Sequence, residues 1–222
     1  MDTHETIKEI KAQFRLFMNG VASQSMREKG LNYKLNFGIE LPRLKEISLR
    51  YEKNHSLAGA LWKENIRECK ILATMLQPVE TFLPEIADIW VEDITQPELA
   101  ELACMNLFQH LPYASTKAFQ WMADERQYFQ VCGYLTFARL FMRGSLLNER
   151  AENEFLDQAT VALAGSNENY RPAQAALTAL RMYMRLGKNQ TQSVLKVTSS
   201  LATHASKSIQ DIYQQLKDEI IE

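Results

Sequence analysis

Glycine is scarce in this chain: 8 of 222 residues, about 4% against the roughly 7% of average proteins. A chain so poor in the main turn residue cannot make many hairpins, which excludes a sheet-rich fold. Cysteine is scarcer still. Cys69, Cys104 and Cys132 are odd in number, no pair has metal-ligand spacing, and each lies in an apolar run. They read as small buried hydrophobes of a reducing, intracellular compartment, not as disulfides or zinc ligands. Positive charge is in no excess: 25 Lys and Arg stand against 27 Asp and Glu, a formal net charge of −2. That rules out a globally basic nucleic-acid binder and leaves open a local basic face. No stretch approaches the ~18 uninterrupted apolar residues of a membrane span. The segment 1–11 is polar and mixed in charge, unlike a signal peptide. The expectation is a soluble, cytoplasmic protein without a membrane partner.

The common signatures of small-molecule chemistry are missing as well. Neither a P-loop nor a GxGxxG occurs, and the serines lack a nucleophile-elbow context. His4, His55, His110 and His204 are scattered, with no HExxH and no cysteine at ligand spacing. No metal and no cofactor are expected.

Helical periodicity is what the chain has in abundance. With 46% hydrophobic residues it can bury a sizeable core, and the apolar spacing is helical almost everywhere. Pro42, Pro78, Pro97 and Pro172 stand near helix starts, where a missing N–H costs nothing. Gly20, Gly30, Gly144 and Gly187 read as helix ends. About a dozen short helices follow, among them 23–30, 42–53, 65–77, 79–92, 97–110, 126–142, 148–164, 170–186, 190–203 and 205–221, joined by short polar connections. Ile66, Phe129 and Tyr170 each open a second helix of a pair, and each is followed three positions on by a small residue: Cys69, Cys132 and Ala173. This degenerate repeat predicts an all-α, superhelical α-solenoid of HEAT-like antiparallel helix pairs, one domain over 1–222.

Three of these helices carry a narrow polar stripe. Along 170–186 the residues are apolar nearly all round except Arg171, Gln174, Thr178, Arg181 and Arg185, with Lys188 beyond. Spacings of three and four place them on one face, and from Arg171 to Arg185 the helix rises about 21 Å. Helix 65–77 repeats the pattern with Lys63, Arg67, Lys70, Thr74 and Gln77. Between them, helix 97–110 has an acidic stripe of Glu98 and Glu101, with Gln109 further on. In a solenoid the inner helices line the concave binding groove. The charge is polarised accordingly: 51–100 carries 4 basic and 9 acidic residues, whereas 169–210 has six basic residues and no Asp or Glu. A polar stripe can also be no more than a solvated face, and first-turn carboxylates favour the helix dipole.

The residues then become recognisable. Phe37-Gly38-Ile39-Glu40-Leu41-Pro42-Arg43-Leu44-Lys45-Glu46-Ile47, Leu57-Ala58 with Leu61-Trp62, and Ile66-Arg67-Glu68-Cys69-Lys70-Ile71-Leu72-Ala73 resemble in order and spacing the opening blocks of the bacterial DNA-alkylation-repair (AlkD-like) family. The resemblance implies a HEAT-like solenoid whose basic concave face holds duplex DNA through its backbone phosphates. It also implies excision of N3- and N7-alkylated purines by a metal-independent N-glycosylase. Where the family has Trp-Asp-x-x-Asp, this chain has Pro97-Glu98-Leu99-Ala100-Glu101, which sets Glu101 at the catalytic acid's position and removes a Trp. Trp-Ala-Leu-Arg becomes Thr178-Ala179-Leu180-Arg181, and an expected Arg pair becomes Gln130-Val131. The resemblance thus assigns Glu101 as the catalytic candidate and retains Arg181, and the two basic stripes make Lys63, Arg67, Lys70, Arg171, Thr178, Arg181, Arg185 and Lys188 the expected DNA contacts. Loss of both Trp side chains removes the apolar walls beside the acid, so the expected excision is slow or absent. The alternative is a catalytically inactive helical scaffold for DNA structures or for a protein partner.

Overall fold

A computed structural model describes residues 2–219 and shows helices throughout, with one isolated parallel bridge, Leu35 to Ile66. The chain divides into two compact units: the first runs to Ile89 and includes Ile94–Pro112, the second comprises Trp90–Asp93 and the chain from Tyr113 onward. In the first unit, α1 (Thr3–Leu16), α2 (Gly20–Glu28), α3 (Leu41–Ser48), α4 (His55–Lys63), α5 (Arg67–Leu76) and α7 (Pro97–Asn106) follow one another; α6 (Pro84–Glu92) has its last turn in the second unit. The second unit continues with α8 (Ala114–Met122), α9 (Gln127–Met142), α10 (Glu149–Ala164), α11 (Tyr170–Met184), α12 (Lys188–Thr198) and α13 (Lys207–Asp218). The short links α4–α5, α8–α9 and α10–α11 make antiparallel pairs, as the sequence led us to expect.

Several boundaries move for identifiable reasons. Gly20 begins α2 instead of ending α1, because Asn19 caps that helix by accepting from Ala22 N at 3.0 Å. Gly187 likewise precedes α12. Gly30 and Gly144 do close helices, with φ of 96° and 80°. Span 79–92 breaks into a 3₁₀ turn, Val79–Thr81, and α6, which starts at Pro84. Spans 97–110 and 190–203 likewise end in 3₁₀ turns; the end of 205–221 lies outside the described residues. The small residues of the repeat do share one role: Cys69, Cys132 and Ala173 are fully buried. Trp62, Trp90 and Trp121 are core residues too. Gly133 sits so close to α8 that a Cβ there would lie 2.7 Å from Met122 N, which is why α9 can lie flat against it.

The first unit is organised around a buried ion network. Arg67, 1% exposed, donates from Nε and Nη2 to Glu98 at 2.8 and 2.6 Å, and from Nη1 to Ile39 O at 2.9 Å and to Glu68 at 3.1 Å. Glu68 in turn accepts from the backbone N–H groups of Phe37 at 3.1 Å and Ile39 at 3.4 Å. Burial alone would pull the Arg67 guanidinium's pKa down; hydrogen bonding to Glu98 and the adjacent Glu68 charge reverse that and hold it up. The network bolts the 37–39 loop and α7 onto α5. Within that loop Gly38 adopts φ +69°, receives the Asn36 side chain on its N–H at 2.8 Å, and leaves no room for a Cβ, which would strike Asn19 O and come within 2.6 Å of Ser23 N.

The core of the second unit is aromatic. Phe137, Phe141, Phe155 and Tyr183 pack with centroids 4.7–5.6 Å apart, and Phe119 meets Phe137 edge-on at 4.7 Å. Such pairs add about 0.5–1.5 kcal/mol each beyond their buried area.

Three expectations follow. Glu68→Ala leaves Arg67 and two backbone N–H groups partly unmatched in the interior, and should cost about 3–5 kcal/mol in urea denaturation; a loss below about 1 kcal/mol would show the network to be dispensable. Gly38→Ala should destabilise by more than the ~1 kcal/mol of an ordinary glycine substitution, seen as a lower thermal midpoint. All three cysteines are buried, and burial pushes the Cys69 thiol up to about 12. The native protein should therefore resist a disulfide-exchange reagent, with three thiols appearing only on unfolding; rapid native labelling would contradict this packing.

Candidate nucleic-acid interface

The two basic stripes have opposite fates. On α5 the stripe points inward. Arg67 serves the ion network, Thr74 accepts from Asn106 Nδ2 at 2.9 Å, and the Gln77 amide donates to Pro78 O at 2.8 Å. All three are within 1% of full burial. Helical spacing identifies one face of α5, but that face packs on α7, so Arg67 is an architectural residue and does not meet solvent. Lys70 is half-buried, donating to Trp62 O at 2.8 Å with its ammonium 4.5 Å from the Trp62 ring. Lys63, at the end of α4, is exposed. The acidic stripe divides too: Glu98 is committed to Arg67, whereas Glu101, one turn on, is exposed.

On α11 the stripe faces water. Its alanines and leucines (Ala173, Ala176, Leu177, Ala179, Leu180) are buried, and this apolar majority turns Arg171, Thr178 and Arg185 outward, with Gln174 and Arg181 half-buried at the rim. Lys188, opening α12, extends the row. The Thr178 hydroxyl donates to Gln174 O at 2.9 Å and remains exposed. At the row's start Tyr170 is 65% exposed, while Tyr134 is core. Burial raises the pKa of the Tyr128 phenol, against the pull of nearby Arg171.

Two further cations lie on the neighbouring helix α9. Gln127 on α9 donates to Asn169 at the head of α11 at 3.0 Å, and Phe141 stacks near Tyr183 at 4.7 Å. The residue offset is 42 at both places (169 − 127 and 183 − 141), so α9 and α11 run parallel in register. The same offset sets Arg139 level with Arg181, and Arg143 level with Arg185. Arg139 is half-buried at the surface and Arg143 is exposed. The sequence signal was available: both pairs have a four-residue spacing on otherwise apolar helices. What hid Arg139 and Arg143 was the composition of α9, whose polar residues form no continuous stripe. Gln130 and Val131 do not contribute; the Gln130 amide clamps the α8–α9 turn by donating to Asp124 O at 2.6 Å, and Val131 is buried.

A cavity of about 710 Å³ opens at the lower end of the row, between α11 and α12, lined by Arg181, Arg185, Lys188, Thr191, Leu195 and Glu219 among others. A second, of about 560 Å³, lies among α8, α9 and α10 and has Asp157 and amides but no cation in its lining. Only the first suits an anion. Guanidinium groups spaced along a helix engage phosphate oxygens in pairs and fix the position of a strand without reading its bases. Among the described residues no helix is long and apolar enough to cross a membrane.

The sequence matches the family model described as DNA alkylation repair enzyme over residues 8–212. No curated protein matches it. Among solved structures, the chain is similar to a member of a new family of proteins related to the HEAT-like repeat DNA glycosylases with affinity for branched DNA structures. The TM-score is 0.74 at 18% identity, over 97% of this chain and 95% of that one. The fold is therefore the all-α, HEAT-like one that the sequence predicted, and with a family match spanning nearly the whole sequence, this chain belongs to the DNA alkylation repair enzyme family.

Proposed function

We propose that this protein binds DNA through its backbone phosphates on the α9–α11 face, and that excision of alkylated bases is slow or absent. The observation that carries the reading is the double row of cations in the second unit: Arg139 level with Arg181, Arg143 level with Arg185, and Arg171 and Lys188 at the two ends. Family membership supports it, and so does the affinity for branched DNA of the structural relative. A junction brings several backbones together, so phosphate density is higher there than on a linear duplex. A surface that counts phosphates and ignores bases will favour it. Lys63 and Lys70 in the first unit are additional candidates for phosphate contact. Arg67 is not carried forward, because its donors are committed to Glu98, Glu68 and Ile39.

Glu101 is the carboxylate that a residual glycosylase would use. A cationic alkylpurine leaves without protonation, so the useful group is an anion beside the sugar that stabilises oxocarbenium charge and orients a water. An exposed carboxylate is a weak stabiliser, since water screens it. Pro97, at a position on the same helix where the resemblance expects Trp, supplies no aromatic wall to exclude that water.

Binding of a labelled duplex and a four-way junction, followed by fluorescence anisotropy, tests this. Six phosphate contacts should make affinity fall by about 10³ or more between roughly 50 and 200 mM salt, and the double variant R139A/R143A should flatten the log–log slope by about 1.8. Absence of binding at low salt would remove the DNA reading and leave the protein-partner scaffold, to which the acidic 51–100 region is better suited. Release of 7-methylguanine at an ordinary enzymatic rate, abolished in E101Q, would overturn the second half of the proposal.

A further inference from the structure

An anion already sits among the cations of the second unit. Arg181 Nε lies 2.9 Å from Glu219 Oε1, and Arg185 Nη2 lies 3.9 Å from Glu219 Oε2. Gln215, one turn earlier, accepts from Arg181 Nη2 at 3.4 Å. The helix that brings Glu219 there is anchored by other means, since Ile209, Ile212 and Leu216 of α13 are buried. The carboxylate is thus not needed to hold α13 in place. It borders the 710 Å³ cavity together with Arg181, Arg185 and Lys188, a space far larger than a carboxylate fills. Carboxylate and phosphate present paired oxygens to a guanidinium in the same way.

We propose that this cavity is a phosphodiester subsite of the DNA-binding face, and that Glu219 is its internal stand-in, displaced when a DNA phosphate enters. The inference rests on the DNA-binding reading above. Arg181 and Arg185 are partly neutralised before DNA arrives, so fewer counterions leave them on binding. The wild-type chain therefore binds more weakly, and with a shallower salt dependence, than its cations would allow. A lone phosphate competes with a tethered carboxylate at a disadvantage. A backbone held by the remaining cations of the face does not, so entry to the cavity follows engagement of the rest of the row.

The test compares wild type, E219Q and D211N on the same labelled junction and duplex. Asp211 is an exposed acid two turns earlier on α13, so D211N removes the same charge at a different place and controls for general electrostatics. E219Q should bind about fivefold more tightly than wild type, with a log–log salt slope steeper by about one, while D211N shifts affinity less than about twofold. Adding R185A to E219Q should cancel the gain. Circular dichroism checks that each variant is folded; E219A should behave as E219Q and serves in its place if needed. If wild type binds DNA and E219Q matches D211N, the subsite is overturned while DNA binding stands. Weaker binding by E219Q overturns it as well, because Glu219 would then be positioning the arginines. No binding by any variant at low salt overturns both readings. If inorganic phosphate alone raises the thermal midpoint of E219Q and its DNA affinity is unchanged, the cavity takes free phosphate and its place on the DNA face is overturned.

Discussion

Arg67 is the residue on which the first unit depends. A guanidinium removed from water must be matched donor for donor, because the alternative is an unpaired charge in the interior. Here the match is supplied from α5 itself, from the 37–39 loop and from α7, through Glu68, the Ile39 carbonyl and Glu98. The ion network therefore fixes the relative placement of segments that the chain order separates by about thirty residues on either side. Two of the blocks that carry the family resemblance, the 37–47 segment and the 66–73 segment, meet in this network, and α7 completes it through Glu98. Their appearance in one sequence reflects a shared requirement of the fold, and says little about what the fold does.

That division explains how much of the molecule was legible beforehand. Helix number, pairing and the buried small residues at 69, 132 and 173 follow from periodicity, since each is a property of a helix and its immediate neighbour. The fate of a polar stripe is different in kind. The stripes of α5 and α11 have the same spacing and similar chemistry, yet one is a polar seam against α7 and the other is washed by solvent. The difference lies in the partner: α7 offers Glu98 and Asn106 to receive Arg67 and Thr74, and α11 has its apolar side already filled by α9 and α10. Spacing shows that residues share a face; it cannot show what the face meets. The same reasoning covers Arg139 and Arg143, which come level with Arg181 and Arg185 only through the parallel register of α9 with α11.

The arrangement separates architecture from electrostatics along the chain. In the first unit Arg67 is drawn inward by its ion network and Lys70 lies over the Trp62 ring. In the second, aromatic packing of Phe137, Phe141, Phe155 and Tyr183 fills the core, and Arg181 and Arg185 pair at the surface with Glu219.

The burial of the three thiols bears on the chemistry of damage itself. Agents that alkylate purine nitrogens attack thiolates more readily, and a protein working where such agents are present is exposed to them as much as its DNA is. Cys69, Cys104 and Cys132 lie out of reach of solvent, and Cys69 is held protonated far above neutral pH by its surroundings. The fold thus withholds its softest nucleophiles from any such electrophile.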